Sequence, residues 1–352
     1  MFKIEPHAYP AARPVLAHLS LSHVAVSSLL DGLISGEIWM DSPQEPNVAV
    51  AIVGDAYFLA GDPSISPQTR EALTGLLPDW IYLQTEPRWI PHLATIWRNK
   101  FALEHPRIRL APCPGRRLPE RSVPPPEYEI VPINRALFES QPANLQDLKD
   151  AMEEWSSPKD FFNSAVGFCA VSENRVVSYS LTDCVSGHRC ELGVRTHPDF
   201  RRQGLGLAVA SATVQECVRR GLTDIEWHTH ASNKGSLAIG TAIGLVEQQD
   251  YSAFACRLPA ENAGDLEPDT CRTLALHFER ASAHMLWCRF PAAGAWVLSG
   301  DHEKAIENIR LLFQNDWQGD SRWLENFWAL RPLQNDPAFR ALLTSRQNPP
   351  SA

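Results

Sequence analysis

The 352-residue chain has no run of 18 apolar residues, so no stretch of it reads as a membrane-spanning helix. Its first 21 residues carry charge and three prolines and do not read as a secretory signal. An excess of basic residues is missing too: 32 Lys and Arg stand against 41 Asp and Glu, a net charge of −9. A surface of that sign does not coat nucleic acid. The eight cysteines contain no C-x-x-C pair and no framework spacing. They are expected to be reduced thiols in a cytoplasmic protein. What the chain does have is 44% hydrophobic and 21% charged residues, enough for packed cores, and a length that suggests two or three domains.

Residues 1–121 read as a mixed α/β unit. A helical pattern covers 17–33, with Gly36 past its end. Short strands are predicted at 37–40, 47–53 and 56–59, separated by Asp-Ser-Pro and Gly-Asp turns. Ser66-Pro67 would open a helix over 68–77, followed by a strand at 81–84 and a helix at 89–97. Asp31, Asp41 and Asp62 read as turn or cap residues, and no catalytic constellation stands out in this third of the chain. Residues 111–127 hold six prolines and three arginines without an apolar period, the mark of an extended linker. The Arg116-Arg117 pair within it reads as solvated charge rather than a phosphate contact.

From 128 to 260 strands and helices alternate. A strand at 127–133 leads to helices at 134–140, with Asn134 as N-cap, and at 145–155. A hairpin pairs 167–171 with 176–182. A central strand at 191–196 precedes an amphipathic helix over 207–220, with Gly221 as its C′ residue. The strand at 225–230 should then run parallel to 191–196, by the right-handed crossover rule. Residues 265–346 read as helices only: 270–289, 291–298, 302–313 and a final stretch from 323.

The chemistry concentrates between residues 191 and 207. There an extended segment passes through Arg201-Arg202-Gln203-Gly204-Leu205-Gly206 into a helix. The first amides of a helix lack intrahelical partners, and the macrodipole adds partial positive charge there. Gly204 and Gly206 let the backbone approach a bulky anion. A tight strand-to-helix turn without a ligand would show the same residues, so this motif alone does not decide.

Its surroundings do more. The spacing Arg201-x-x-Gly204-x-Gly206 resembles motif A of the GNAT superfamily of acyl-CoA-dependent N-acetyltransferases. Asn233, Ser236 and Gly244 resemble its motif B, with Leu245 where an aromatic is usual. The run G167-F-C-A-V, Val176 to Ser178, Glu191-x-Gly-x-x-Thr196 and Trp227 ahead of Asn233 resembles the branch typified by the zwittermicin A resistance protein. The likeness is strong over 126–258 and weaker in the N-terminal third. It implies a GNAT fold: a mixed, mostly antiparallel sheet with a splayed parallel strand pair, flanked by helices. An α/β companion domain at 1–121, resembling a degenerate half of the same fold, would precede it. The end of the linker at 122–127, the transferase domain at 128–260 and an all-helical segment at 265–346 resembling tetratricopeptide helices would follow.

The resemblance also implies a ligand, acetyl-CoA as co-substrate, lying where strands 191–196 and 225–230 diverge. Val194, Arg195 and Thr196 would pair with its pantetheine arm, in effect a short added strand. A bulge near Val194 or Thr196 would aim an N–H at the thioester carbonyl. Arg201, Arg202, Gln203, Gly204, Leu205, Gly206 and Leu207 would hold the diphosphate. Asn233 and Ser236 would flank the pantetheine, although an Asx N-cap is an equal and compatible reading of Asn233.

The general base is expected to be Glu191, with His228 as second choice because imidazole titrates near neutral pH. Glu226, His228 and His230 share one strand face, but His228-x-His230 lacks a third metal ligand at useful spacing, so no metal is expected. Where the family often has a tyrosine acid, the chain has Gly240, leaving Tyr251, Tyr179 or unaided thiolate departure. The expected reaction is acetyl transfer to a primary amine, chiefly of a small molecule, by direct attack in a ternary complex. Two alternatives stand beside it: a catalytically weak CoA sensor or scaffold, and a protein N-acetyltransferase. No nucleic acid or membrane partner is expected. A homodimer, or a protein partner on the C-terminal helices, stays open.

Overall fold

The computed structural model describes residues 1–113, 122–315 and 317–347. The Arg116-Arg117 pair therefore lies outside the described residues. Among the described residues no helix is long and apolar enough to cross a membrane.

The N-terminal third begins with β1 (Phe2–Ile4), α1 (Arg13–Ser22) and α2 (Val24–Leu30). The single helix expected over 17–33 is thus two. The break falls at His23, whose extended backbone ends one helix and starts the next. Then come β2 (Glu37–Met40), β3 (Val48–Val53) and β4 (Ala56–Gly61), close to the expected strands. Helix α3 (Pro67–Leu76) is capped by Ser66, whose hydroxyl accepts from the Thr69 N–H, ahead of β5 (Tyr82–Thr85). The helix expected at 89–97 is mostly a 3₁₀ turn, with only α4 (Leu93–Ile96) α-helical.

The largest departure is β6 (Leu103–Pro112), a ten-residue strand that absorbs the start of the expected linker. After the linker follow β7 (Glu129–Pro132), α5 (Arg135–Ser140), α6 (Gln146–Glu153) and α7 (Pro158–Ser164). Strands β8 (Gly167–Ser172), β9 (Arg175–Ser186) and β10 (Arg189–Thr196) form a meander. Helix α8 (Leu205–Arg219), β11 (Asp224–His230), α9 (Lys234–Ala242) and β12 (Leu245–Ala255) complete the transferase region.

All twelve strands among the described residues join one sheet, in the order β1-β2-β3-β4-β5-β12-β6-β11-β10-β9-β8-β7. The sheet runs straight through the boundary expected near residue 121, because β6 inserts between β11 and β12 and pairs antiparallel with both. Leu16 on α1 and Leu29 on α2 are almost fully buried, in the same apolar cluster as Cys190 and Ile225 of the sheet.

Beyond the sheet stand α10 (Pro268–Ser282), α11 (Arg289–Leu298), α12 (His302–Gln314), α13 (Ser321–Asn326) and α14 (Pro337–Gln347). The helix expected over 270–289 ends at Ser282, and a 3₁₀ turn at Leu286–Cys288 replaces its last part. These helices bury their own cluster around Phe278, Trp296, Leu312 and Phe339.

Candidate active site

Strands β10 and β11 run parallel, as expected, but pair over only three residues, Arg189 to Glu191 against Asp224 to Glu226. On its other edge β11 pairs with β6 past that point, matching Trp227 to His230 with Leu110 to Arg107. The two parallel strands separate, and among the described residues the edge of β10 from Leu192 to Thr196 has no strand partner on the β11 side. Unpaired strand N–H and C=O groups beside an opening form a template for an extended, amide-bearing ligand.

Below the opening lies the expected anion loop. Helix α8 starts at Leu205, two residues earlier than its pattern suggested, with Gly204 as N-cap at φ +78°. Arg202 also has positive φ, at 64°. Residues 201–204 are exposed, whereas Leu205 and Gly206 are buried. The first helical bond here runs from the Ala208 N–H to the Gly204 carbonyl. The amides ahead of it, through Leu207, are those a helix leaves without an internal acceptor. A Cβ at Gly204 would meet nothing within 4 Å, so the space beside it is open. Gly206 serves a different end: a Cβ there would lie 3.1 Å from Ile239 Cδ1 and 3.3 Å from Thr196 Oγ1. It lets α8 pack against β10 and α9.

The remaining cofactor-side residues are mostly engaged. Arg195 pairs with Asp147 at 3.3 Å. Thr196 Oγ1 lies 2.8 Å from Ser178 Oγ. Arg201 Nε donates to the Thr196 carbonyl at 3.2 Å, and Gln203 Oε1 accepts from the Tyr128 hydroxyl at 2.6 Å. Asn233 Oδ1 caps α9 by accepting from the Ser236 N–H, and its Nδ2 donates to Glu261 at 2.6 Å. Ser236 Oγ accepts from the Trp227 indole at 2.8 Å. Val194 is half-buried on the free edge.

One expectation is corrected. The register shift of β10 falls between Glu191 and Leu192, not at Val194 or Thr196, and the extra residue is Asp183 on β9. An irregularity on the neighbouring strand serves the same end, since it bends the sheet where the parallel pair parts. A Cβ on Gly193 would sit 2.7 Å from both Asp183 carboxylate oxygens. Glycine is thus what lets that carboxylate lie against β10.

The opposite wall carries the titratable groups. Glu191 and Glu226 are register partners and emerge on one face. Glu226 is fully buried and accepts from Arg109 and Arg189 at 2.7 Å each and from His228 Nε2 at 3.1 Å. Burial alone would raise its carboxyl, but the hydrogen bonds from His228, Arg109 and Arg189 outweigh it and hold it near 2. A carboxylate held ionised only accepts, so His228 carries its proton on Nε2. His228 Nδ1 then accepts from the Tyr251 hydroxyl, 2.9 Å away. Burial pushes that phenol above its ordinary value, against the pull of Arg107 beside it. His23, at the break between α1 and α2, packs against both rings, tilted on His228 at 5.3 Å and edge-on to Tyr251 at 5.1 Å between centroids.

Asp183 reaches solvent in this concavity. The protein packed around it, with Glu191 and Glu154 nearby, raises its carboxyl well above the usual range. Helices α1 and α2 roof the same face: Arg189 donates to the carbonyls of Ser20 and Leu21 at 2.6 and 2.8 Å.

Of the two expected bases, Glu191 lies at the point where the strands part, while His228 stands one step behind Tyr251. Gly240 packs on the opposite face, where a Cβ would touch Leu110 at 3.5 Å and Trp227 at 3.6 Å. Tyr179 sits opposite Arg195, its phenol pushed up to about 12 by burial. His230, the other half of the His-x-His pair, faces Glu261 at 3.6 Å instead of joining His228. Sequence reasoning missed Arg109, Arg189, His23 and Asp183. The alternation Arg107-Ile108-Arg109-Leu110 was the available signal for the first.

Comparison with known proteins bears on the fold and the family. An uncharacterized N-acetyltransferase, YdfB, of Bacillus subtilis (strain 168) is 26% identical over 102 residues, 29% of this chain and 39% of its own length. The [ribosomal protein bS18]-alanine N-acetyltransferase of Escherichia coli (strain K12) is 24% identical over 82 residues, 23% of this chain and 55% of its own. The chain thus spans about half or less of these curated relatives. A crystal structure of a GCN5-related N-acetyltransferase-like protein from Streptococcus suis 89/1591 superposes with a TM-score of 0.54 at 20% identity, covering 71% of this chain and 98% of that one. That likeness establishes the fold. A profile of the GNAT acetyltransferases matches residues 16–254, more than half of the sequence and across β6, and the chain belongs to that family.

Proposed function

We propose that the chain moves an acetyl group from acetyl-CoA to a primary amine by direct attack within a ternary complex. The observation that carries this reading is the opening between β10 and β11, with an exposed loop at 201–204 and a positive-φ Gly204 at its foot. The residues present fit the donor: a free strand edge for its amides, helix N–H groups and Arg201 for its phosphates. Bound there, acetyl-CoA supplies an activated thioester.

The chain's own groups do the rest. An N–H of β10 near the point of divergence stabilises the oxyanion that forms as the amine attacks. Glu191, at that same point, takes the proton of the incoming ammonium, directly or through water. The Tyr251 hydroxyl is the donor for the departing thiolate, in place of the acid that Gly240 lacks: its proton leaves the hydrogen bond to His228 Nδ1 for the sulfur, and the phenolate that remains lies beside Arg107. The acceptor is a small amine, because α1 and α2 roof the face where Glu191, Asp183 and Glu226 converge. Glu191, at the point where the strands part, suits a cation.

Calorimetric titration with acetyl-CoA tests the reading. Binding in the micromolar range is expected, lost in Gly204→Glu, whose carboxylate would stand where the phosphates rest. No binding at millimolar ligand, or unchanged binding in the variant, would sink it. A non-catalytic CoA sensor is the second reading, favoured by Gly240. An acetylated product in a panel of amines and aminoglycosides would decide against it.

A further inference from the structure

The two lips of the opening are joined from outside by residues downstream of β12. Ser232 Oγ donates to the Pro259 carbonyl at 3.1 Å and Asn233 Nδ2 to Glu261 at 2.6 Å, both on the β11 side. On the β10 side, Arg201 Nη1 donates to Asn262 Oδ1 at 3.0 Å. Asp265 fixes this crossing by accepting from the backbone N–H groups of Glu261 and Asn262 at 3.1 and 2.8 Å.

The helical segment adds a second reach. The 3₁₀ turn Trp328–Leu333 is anchored by Ala329, Leu330 and Leu333, all fully buried. Between those anchors Arg331 turns outward, and its Nη2 lies 2.5 Å from Asp199 Oδ1, two residues before Arg201. Arg331 and Arg195 approach closely enough that their charges, after burial, lower the pKa of Arg201.

Arginines from the anion loop and from the C-terminal segment thus meet beside the start of α8, with Arg195 of β10 near them but already paired with Asp147. Like charges gathered at the positive end of a helix raise the free energy unless an anion joins them. Asp199 is a weak counter-ion: its side chain is 63% exposed and that of Arg331 47%, so the pair contributes little and exchanges readily. A guanidinium grips carboxylate and phosphate alike at two points, but a phosphate group brings more charge and more acceptor oxygens than one exposed carboxylate.

We propose that Arg331 completes the phosphate site of the acyl-CoA cleft by exchanging Asp199 for a phosphate of the nucleotide, so that the C-terminal helical segment is part of the cofactor site. The proposal rests on the acetyl-CoA reading above and assigns that segment a ligand-binding role.

The test uses the full chain and two probes, acetyl-CoA and S-acetylpantetheine, which keeps the thioester arm and lacks the phosphates. Arg331→Ala is expected to bind acetyl-CoA roughly tenfold more weakly, equivalent to ~1.4 kcal/mol, with S-acetylpantetheine binding unchanged in NMR titration. Asp199→Asn, which frees Arg331, should bind acetyl-CoA at least as well as the parent. Unchanged acetyl-CoA affinity in Arg331→Ala, equal losses for both probes, or equal weakening by both substitutions would each overturn the proposal. The last of these would mark the pair as a strut. If the parent chain fails to bind acetyl-CoA, the underlying reading falls and takes this one with it. Binding by the parent that is abolished in Gly204→Glu keeps the two failures apart.

Discussion

Replacing Glu226 with glutamine removes one charge from the middle of the sheet and leaves Arg109 and Arg189 facing each other. The carboxyl is fully buried and falls from 4.5 to about 2 in the folded chain. A shift of that size corresponds to on the order of 3 kcal/mol of stability, in line with the ~3–5 kcal/mol lost when one partner of a buried ion pair is removed. The sign follows from the depressed pKa. The contribution is complete above the unfolded value of 4.5 and is lost as pH falls toward 2. About half of it is gone by pH 3.5. Urea denaturation followed by tryptophan fluorescence measures it as a difference between parent and Glu226→Gln. The gap should be constant from neutral pH to about 5 and close progressively below that. Equal stability at neutral pH, or a gap that does not close on acidification, would refute the claim that Glu226 is the ionised hub of this cluster.

Three further outcomes are expected. His228→Ala should lower kcat by about 10²–10⁴-fold, the range for removing a proton-transfer group, while the KM for acetyl-CoA stays within about twofold. Steady-state assay of thiol release would show it. Gly193→Ala places a methyl 2.7 Å from the Asp183 carboxylate oxygens, and the forced shift should cost about 1–3 kcal/mol in thermal denaturation. Burial lowers His105 to about 4. Its neutral form therefore contributes stability that is complete above the ordinary imidazole value of 6.5 and lost as pH falls toward 4. A His105→Gln chain should show a flatter stability profile across that window.

Local patterns carried most of the transferase region. Alternation placed β8 to β11, and the expected N-cap Asn134 accepts a backbone N–H at the start of its helix, as does Ser66 where a helix was expected to open. Gly221 and Gly300 sit at positive φ where helices end. The anion loop was legible because its residues are contiguous and glycine marks the backbone that must turn. The bulge was not, because it arises from the pairing of β9 with β10. No property of residues 191–196 alone says that Asp183, eight positions earlier than Glu191, is left over when the two strands are matched.

β6 was hidden for a different reason, and it matters most for the site. Pro106 and Pro112 lie within it, and proline is rarely found inside a central strand because it cannot donate to the ladder. The sequence therefore reads as the start of a linker just where the chain enters the middle of the sheet. Once β6 is in place, two consequences follow together. It pairs β11 beyond Glu226 on the edge away from β10, which holds that strand in the sheet where β10 parts from it. It also delivers Arg109 to the carboxylate of Glu226, with Arg107 beside Tyr251. An isolated 128–260 fragment would lose both, leaving β11 unpaired past Glu226 and that buried carboxylate short of one guanidinium. The strand that holds β11 past the parting point also holds the charged wall, so the N-terminal third is a structural part of the site, whatever its descent.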